Sequence, residues 1–169
     1  MSAILSTQNL VKKYGYKIVS NNISLTINKG GIYGFVGKNG AGKTTFMRQV
    51  LGLAFPDSGE ITLFGGEPLN TARKKIGSLI EFPSIYKNCT AYENMKRMAI
   101  LTGSSDKSVR KILDFVGLGN TGNKKAGQFS LGMRQRLGIA MALLGNPELL
   151  ILDEPINDLI RQVLWRFVI

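Results

Sequence analysis

The segment Gly37-Lys38-Asn39-Gly40-Ala41-Gly42-Lys43-Thr44 satisfies G-x-x-x-x-G-K-[ST] at every specified position. Residues of these types in this order make a phosphate cradle. The glycines let the backbone bend so that successive N–H groups face an anion. A helix starting at the end of the loop adds partial positive charge there. The Lys43 ammonium can reach the β- and γ-phosphates of a nucleoside triphosphate, and the Thr44 hydroxyl can ligate Mg²⁺. A dinucleotide cradle of the G-x-G-x-x-G kind does not fit this loop. A second segment, Leu149-Leu150-Ile151-Leu152-Asp153-Glu154, is an apolar run ending in two acids. Asp153 is suited to hold Mg²⁺, directly or through water, and Glu154 to orient or deprotonate an attacking water. Many surface strands end in acids, so this run takes its meaning from the phosphate loop upstream. A third segment, Phe129-Ser130-Leu131-Gly132-Met133-Arg134-Gln135-Arg136, opens a helix with Ser and Gly at its start. That end can bind a phosphate by the same N–H and dipole logic, or it is an ordinary serine-capped helix start.

The elements around these segments must position them. Ile23, Leu25 and Ile27 alternate with polar residues, which predicts a half-buried antiparallel strand, and Asn28-Lys29-Gly30-Gly31 a turn. Ile32 to Val36 is a compact apolar run suited to a buried central strand that feeds the phosphate loop. Thr45 to Leu53 follows as a helix with Phe46, Met47 and Val50 on one side, stopped by Pro56-Asp57-Ser58-Gly59. Ile61–Phe64 and Ile76–Ile80 read as short strands. After Phe82-Pro83 the pattern turns helical. Ala91 to Leu101 is one helix. Ser105 caps another, with Val109, Ile112, Leu113 and Val116 at helical spacing and Gly117 at its end. A loop rich in Gly, Asn and Lys covers Gly117 to Gly127. A third helix begins near Ser130, with Leu137, Ala140, Met141 and Leu144 on one face, and Leu149–Leu152 is an apolar strand.

Composition narrows the class. With 169 residues, 44% apolar and 20% charged, the chain can bury the core of one globular domain. No run approaches the roughly 18 apolar residues of a bilayer span. Met1 to Leu10 has neither the basic start nor the apolar core of a signal peptide. One cysteine, Cys89, and no histidine leave neither an internal disulfide nor a Cys/His zinc site, which points to a reducing, cytoplasmic setting. The net charge of +11 suits either attraction to an anionic partner or scattered solvated lysines. The basic residues are dispersed and no nucleic-acid motif is present. Asn123-Lys124-Lys125 ends in Ala126, so no guanine-reading Asn-Lys-x-Asp segment appears.

The three chemical segments, in this order, resemble the ATP-binding subunit of an ABC transporter, over almost the whole chain up to Pro155. The resemblance is to the exporter subunits of bacitracin-resistance and lantibiotic-immunity type, where a stretch like Ser130 to Ala140 is typical. Ser130-Leu131-Gly132-Met133 looks like a variant of the family's LSGGQ signature, with Leu131 in place of a glycine and with Phe129 and Met133 also different. The resemblance implies an α/β P-loop NTPase core with an N-terminal antiparallel β subdomain. Residues 1–81 and 129–169 would form this core and 82–128 a helical insertion, with the C-terminal part of the core missing.

The resemblance also implies roles. Tyr14, in Lys13-Tyr14-Gly15, matches the aromatic that stacks on adenine, with Tyr16 the fallback; either is equally a tyrosine packed at a strand end. Glu81 stands where most of the family has a glutamine that contacts Mg²⁺ or the attacking water. A carboxylate there could bind metal through water, or Glu81 is a solvated loop residue. Glu154, Glu81 and Lys43 make the implied catalytic set, and Thr44, Asp153 and Glu81 the metal set. Thr45 joins Gly37 to Thr44 at the nucleotide. Ser130 and Gly132 would act on ATP held by a second subunit in a head-to-tail pair, homo- or heterodimeric. Implied cofactors are ATP and Mg²⁺. The implied partners are that second subunit and a membrane permease, with no specific nucleic acid, at the inner face of the cell membrane. The implied activity is MgATP hydrolysis driving export of an antimicrobial peptide or other small molecule. Two alternatives stand beside it: a module that binds without turnover, and a soluble ABC-type ATPase acting on nucleic acid or ribosomes.

After Pro155 the likeness fades. Where the family continues T-N-G-L-D-P, this chain has Ile156-Asn157-Asp158-Leu159-Ile160-Arg161. Ile160 replaces the D-loop aspartate, and the position of the switch histidine lies beyond Ile169. The expectation is a truncated or frame-shifted copy with Arg161 to Ile169 a foreign tail. Trp165, Phe167, Val168 and Ile169 would then lack a designed burial site.

Overall fold

The computed structural model describes residues 2–155. The expectations for Ile160 and for the Arg161–Ile169 tail lie outside them. The chain divides into two compact units, one running up to Lys74 and the other beginning at Lys75. No helix among the described residues is long and apolar enough to cross a membrane.

The first unit is built on a long hairpin. Strands β1 (Ala3–Tyr14) and β2 (Lys17–Asn28) pair antiparallel through the turn at Gly15 and Tyr16. Strand β3 (Ser58–Leu63) pairs antiparallel with the other edge of β1, giving the order β2-β1-β3. On β2 the expected alternation holds: Ile23, Leu25 and Ile27 are half-buried, with Asn22, Ser24 and Thr26 exposed in alternation with them. On β1 the buried positions change parity between Thr7 and Leu10. The register slips there in both pairings, and Asn9 takes φ +48. An extra residue at this slip turns Leu10 onto the face that Leu5 and Thr7 bury. Helix α1 (Lys43–Leu51) buries Phe46, Gln49 and Val50, spaced i, i+3, i+4 as one helical face requires. Gly52, in left-handed backbone, ends it by donating to the Arg48 and Gln49 carbonyls. A short helix α2 (Leu69–Ala72) follows β3.

The predicted central strand at Ile32–Val36 is not found: no strand spans these residues among the described ones. Val36 is 95% exposed, and Phe35 is held by stacking of its ring on Phe46, 5.0 Å between centroids. An apolar run specifies a preference for burial. A strand additionally needs a neighbour for its N–H and C=O groups, and the run has none among the described strands.

The second unit pairs β4 (Ile76–Leu79) with β5 (Leu149–Leu152) in parallel and packs three helices: α3 (Ala91–Thr102), α4 (Asp106–Phe115) and α5 (Leu131–Leu143). Its core joins Met95 and Ala99 of α3, Val109 and Leu113 of α4, and Leu137 and Ala140 of α5. The heptad-like set read on α4 is confirmed, with Val109 and Leu113 buried and Ile112 partly so. Helix α5 lies very close to β4: a Cβ on Gly77 would stand 2.0 Å from the Ala142 carbonyl oxygen. Each helix start is capped by a side chain. Thr90 and Glu93 form a reciprocal capping box on α3, Ser105 accepts from the Ser108 N–H, and Ser130 from the Met133 N–H.

Asp106, first residue of α4, ties that helix to α3. It accepts from the Tyr92 hydroxyl and forms ion pairs with Lys96 (3.2 Å) and Arg110 (2.9 Å), while the Arg110 guanidinium lies 4.8 Å from the Tyr92 ring centroid. The Tyr92 hydroxyl first, then Arg110, lower its pKa from 3.8 to about 2. Because the folded value is the lower one, the stabilisation is complete above the ordinary carboxyl value and disappears as pH falls towards 2. Asp106→Asn is therefore expected to melt below the parent at neutral pH. The gap in melting temperature should close across that acid window; a gap that stays constant down to pH 2 would contradict the ionic origin.

Candidate functional site

In the first unit the phosphate loop is exposed from Gly37 to Ala41 and becomes buried at Gly42. The Ala41 N–H bonds the Lys38 carbonyl at 3.1 Å, closing a turn, and Gly40 takes φ +79. Gly42 is the pivot. It caps α1 with φ +91, and an added Cβ would stand 2.1 Å from the Val19 carbonyl oxygen of β2. No residue with a Cβ fits that conformation and that approach. Its position places Lys43 at the first helical residue, two positions earlier than the sequence suggested.

The consequence is electrostatic. Unlike α3, α4 and α5, helix α1 has no side-chain cap at its N-terminus, and, like α5, it has no acid in its first turn. Gly42 brings no side chain to the first N–H groups, and the positive end of the helix dipole lies at the same place, an arrangement suited to an anion. The Lys43 ammonium donates to the Gly37 (2.8 Å) and Lys38 (3.2 Å) carbonyls, so the charge is held within the loop. Thr44 and Thr45 follow in the first turn and are half-buried.

The same end of the β1–β2 hairpin carries the predicted aromatic. Tyr14 pairs with Lys17, and Val19, whose carbonyl meets Gly42, lies two residues further along β2, or about 7 Å at strand spacing. Tyr14 is 53% exposed, with the Lys12 ammonium 5.3 Å from its ring centroid. Tyr16 sits in the turn and is fully exposed. Tyr14 therefore differs from Tyr16 in being half-covered, with the Lys12 ammonium over its ring. Nothing in the sequence pointed to Lys12 as the residue that meets it.

In the second unit, β4 and β5 run side by side, with Leu79 opposite Leu152 and the Asp153 N–H donating to the Leu79 carbonyl at 2.8 Å. Beyond this last rung both chains bend sharply. Glu81 (φ +59) and Glu154 (φ +45) both adopt left-handed backbone, the same step past the paired residues. Non-glycine residues in this region are uncommon and cost on the order of 1–3 kcal/mol, and such strain gathers at functional sites. Asp153 is 7% exposed, while Glu81 and Glu154 are exposed. The sequence identified these acids but not their shared conformation. No three acidic, histidine or cysteine residues converge to hold a metal ion among the described residues. The Asp153 carboxylate and the Thr44 hydroxyl are hard oxygen donors, the kind Mg²⁺ takes alongside phosphates and water. Ser130 is exposed at the start of α5 with its hydroxyl engaged as the cap, and Gly132 lies in the first turn. The cap reading of Ser130 is therefore realised within the chain itself.

Comparison with known proteins gives the family. A family model described as ABC transporter matches residues 20–157. The bacitracin transport ATP-binding protein BcrA of Enterococcus faecalis is 51% identical over 163 residues, covering 94% of this chain and 53% of that protein. The lantibiotic transport ATP-binding protein SrtF of Streptococcus pyogenes is 47% identical over 156 residues, covering 92% and 68%. The chain thus spans about half the length of the bacitracin relative. Among solved structures, an ATP-binding subunit of an ABC transporter superposes with a TM-score of 0.83 at 26% identity, covering 97% of this chain and 72% of that one. A nucleotide-free ATP-binding cassette from an ABC transporter gives 0.78 at 25%, covering 98% and 78%.

Proposed function

The chain belongs to the ABC transporter family, and from that premise we propose that it is the MgATP-binding and hydrolysing subunit of an exporter. The observation that carries the reading is the uncapped N-terminus of α1 behind Gly42, with the Lys43 ammonium held in the loop in front of it. Helices α3, α4 and α5 each start on a side-chain cap, whereas α1 starts on a glycine that supplies none.

Roles follow residue by residue. The N–H groups of the Gly37–Thr45 segment bind and orient the phosphates, and Lys43 neutralises charge on the β- and γ-phosphates. Tyr14 stacks its ring on adenine. Thr44 and Asp153 supply the oxygens that would hold Mg²⁺, with Glu81 a water-mediated contributor. When bound, the metal supplies charge neutralisation to the phosphate oxygens. Glu154 takes up the proton of the attacking water as it reacts in line with the γ-phosphorus. Ser130 and Gly132, at the start of α5, serve ATP bound by a second copy or a related subunit. Residues 82–128 are the helical insertion into a core formed by 1–81 and 129–169. The partner is a membrane permease, which this subunit meets from the cytoplasmic side at the inner face of the membrane, and the names of the relatives support a peptide antibiotic or similar compound as cargo.

Binding of inorganic tripolyphosphate and of MgATP, measured by calorimetry, tests the reading. Lys43→Ala is expected to weaken both by about tenfold to a hundredfold, the worth of a charge-assisted hydrogen bond or two. Unchanged affinity for tripolyphosphate would remove the loop from the function.

A further inference from the structure

Strand β1 outruns its neighbour β3. The last pair between them is Val11 with Ser58, yet β1 continues through Lys12 and Lys13 to Tyr14. Asp57, the residue before β3, fills the gap. Its backbone N–H donates to the Val11 carbonyl at 2.9 Å, and its Oδ2 accepts the Lys13 N–H at 2.6 Å. A side-chain carboxylate thus stands where the next residue of a strand would be, and satisfies an edge N–H that would otherwise lack a ladder partner. Its Oδ1 also meets the Lys12 ammonium at 3.3 Å. The Lys12 side chain is only 15% exposed, and that same ammonium lies over the Tyr14 ring. The Lys13 backbone bond, with help from Lys12, holds the Asp57 carboxyl below its ordinary value, so it is ionised at neutral pH.

We propose that Asp57 positions Tyr14 for the purine base, and so sets how much of the nucleotide's affinity comes from its base. The inference rests on Tyr14 being the adenine-stacking ring. Asp57 acts on that ring by two routes. One is the backbone: it anchors Lys13, the residue next to Tyr14. The other is the side chain: it orients the Lys12 ammonium against one face of the phenol, leaving the opposite face for a planar ligand. Among the described residues, its hydrogen bonds go to Val11, Lys12 and Lys13 and not to the phosphate loop. Its removal should therefore change recognition of the base and leave recognition of phosphate alone.

The experiment compares MgATP with inorganic tripolyphosphate on the full chain, for Asp57→Ala, Asp57→Asn, Tyr14→Ala and the double variant Asp57→Ala/Tyr14→Ala. Asp57→Ala is expected to weaken MgATP by about threefold to tenfold, the scale of a lost aromatic stack, with tripolyphosphate unchanged. Asp57→Asn keeps an acceptor for the Lys13 N–H and should recover part of the loss. The double variant should bind MgATP no worse than Tyr14→Ala, because the two residues act as a unit. Additive losses, or an equal loss for tripolyphosphate, would overturn the role of Asp57 while leaving the phosphate loop intact. A silent Tyr14→Ala would overturn the base-stacking reading and the proposal with it.

Discussion

Replacing Glu154 by Gln is expected to slow single-turnover phosphate release from MgATP by between about a hundredfold and about ten-thousandfold, the range in which general bases contribute. Nucleotide affinity should be retained. Glutamine keeps the size of the side chain and one acceptor oxygen but cannot take up a proton. The backbone at position 154 is left-handed, and an isosteric amide should not disturb it further. The neighbouring Asp153 is buried where Glu154 is exposed, so the two acids differ in environment and the substitution addresses one role only. Equal, background rates for parent and variant would leave a nucleotide-binding module without turnover. A rate lost together with MgATP affinity would instead point to a structural part for Glu154.

The second large effect concerns Gly42. Gly42→Ala is expected to lower affinity for both MgATP and tripolyphosphate by more than about a hundredfold, through loss of two or more charge-assisted N–H bonds to phosphate. The methyl group meets the Val19 carbonyl oxygen at 2.1 Å, in backbone of φ +91. Either the hairpin end moves away or the start of α1 unwinds; both carry the loop N–H groups off their common focus. Gly40, whose added Cβ would meet nothing within 4 Å, provides the contrast. It shares the positive φ but lacks the clash, so Gly40→Ala should be the milder change in the same calorimetric assay. Equal losses at the two positions would mean that conformation, not contact with β2, governs the loop.

What could be read from the chain differs from what could not by how local its cause is. The phosphate loop, the caps at Ser105 and Ser130 and the apolar face of α4 depend on residues within a turn or two of one another, and each was legible. Thr90-x-x-Glu93 carried the same kind of signal, a capping box, and could have been found by the same rule. Ile32–Val36 was misread because strand formation is a property of two segments, and the apolar run describes only one. The left-handed turns at Glu81 and Glu154 have no glycine to announce them. The carboxylate of Asp57 binds a backbone N–H 44 positions away, a pairing that no periodicity encodes. Of the proposed site, the residue types were therefore visible from the start. Their support was not: Lys12 meets the Tyr14 ring along one face of β1, and Val19 against Gly42 is an approach of β2 to the start of α1.

The Gly- and Lys-rich loop between α4 and α5 is fastened at its far end. Thr90 bridges to Lys125, the Ala126 and Gly127 N–H groups donate to the Cys89 and Lys87 carbonyls at 2.8 Å, and the Lys125 ammonium reaches Glu93 at 3.3 Å. Lys125 to Gly127 are anchored independently of the path taken to reach them, whereas Gly122 and Asn123 stand exposed just before the anchor. Lengthening a surface loop costs little once its ends are held, since each doubling of length adds only about 0.6 kcal/mol. The stretch around Gly122 is thus a natural place for relatives to differ in length, and for an inserted epitope or fluorescent reporter that leaves α5 where it is.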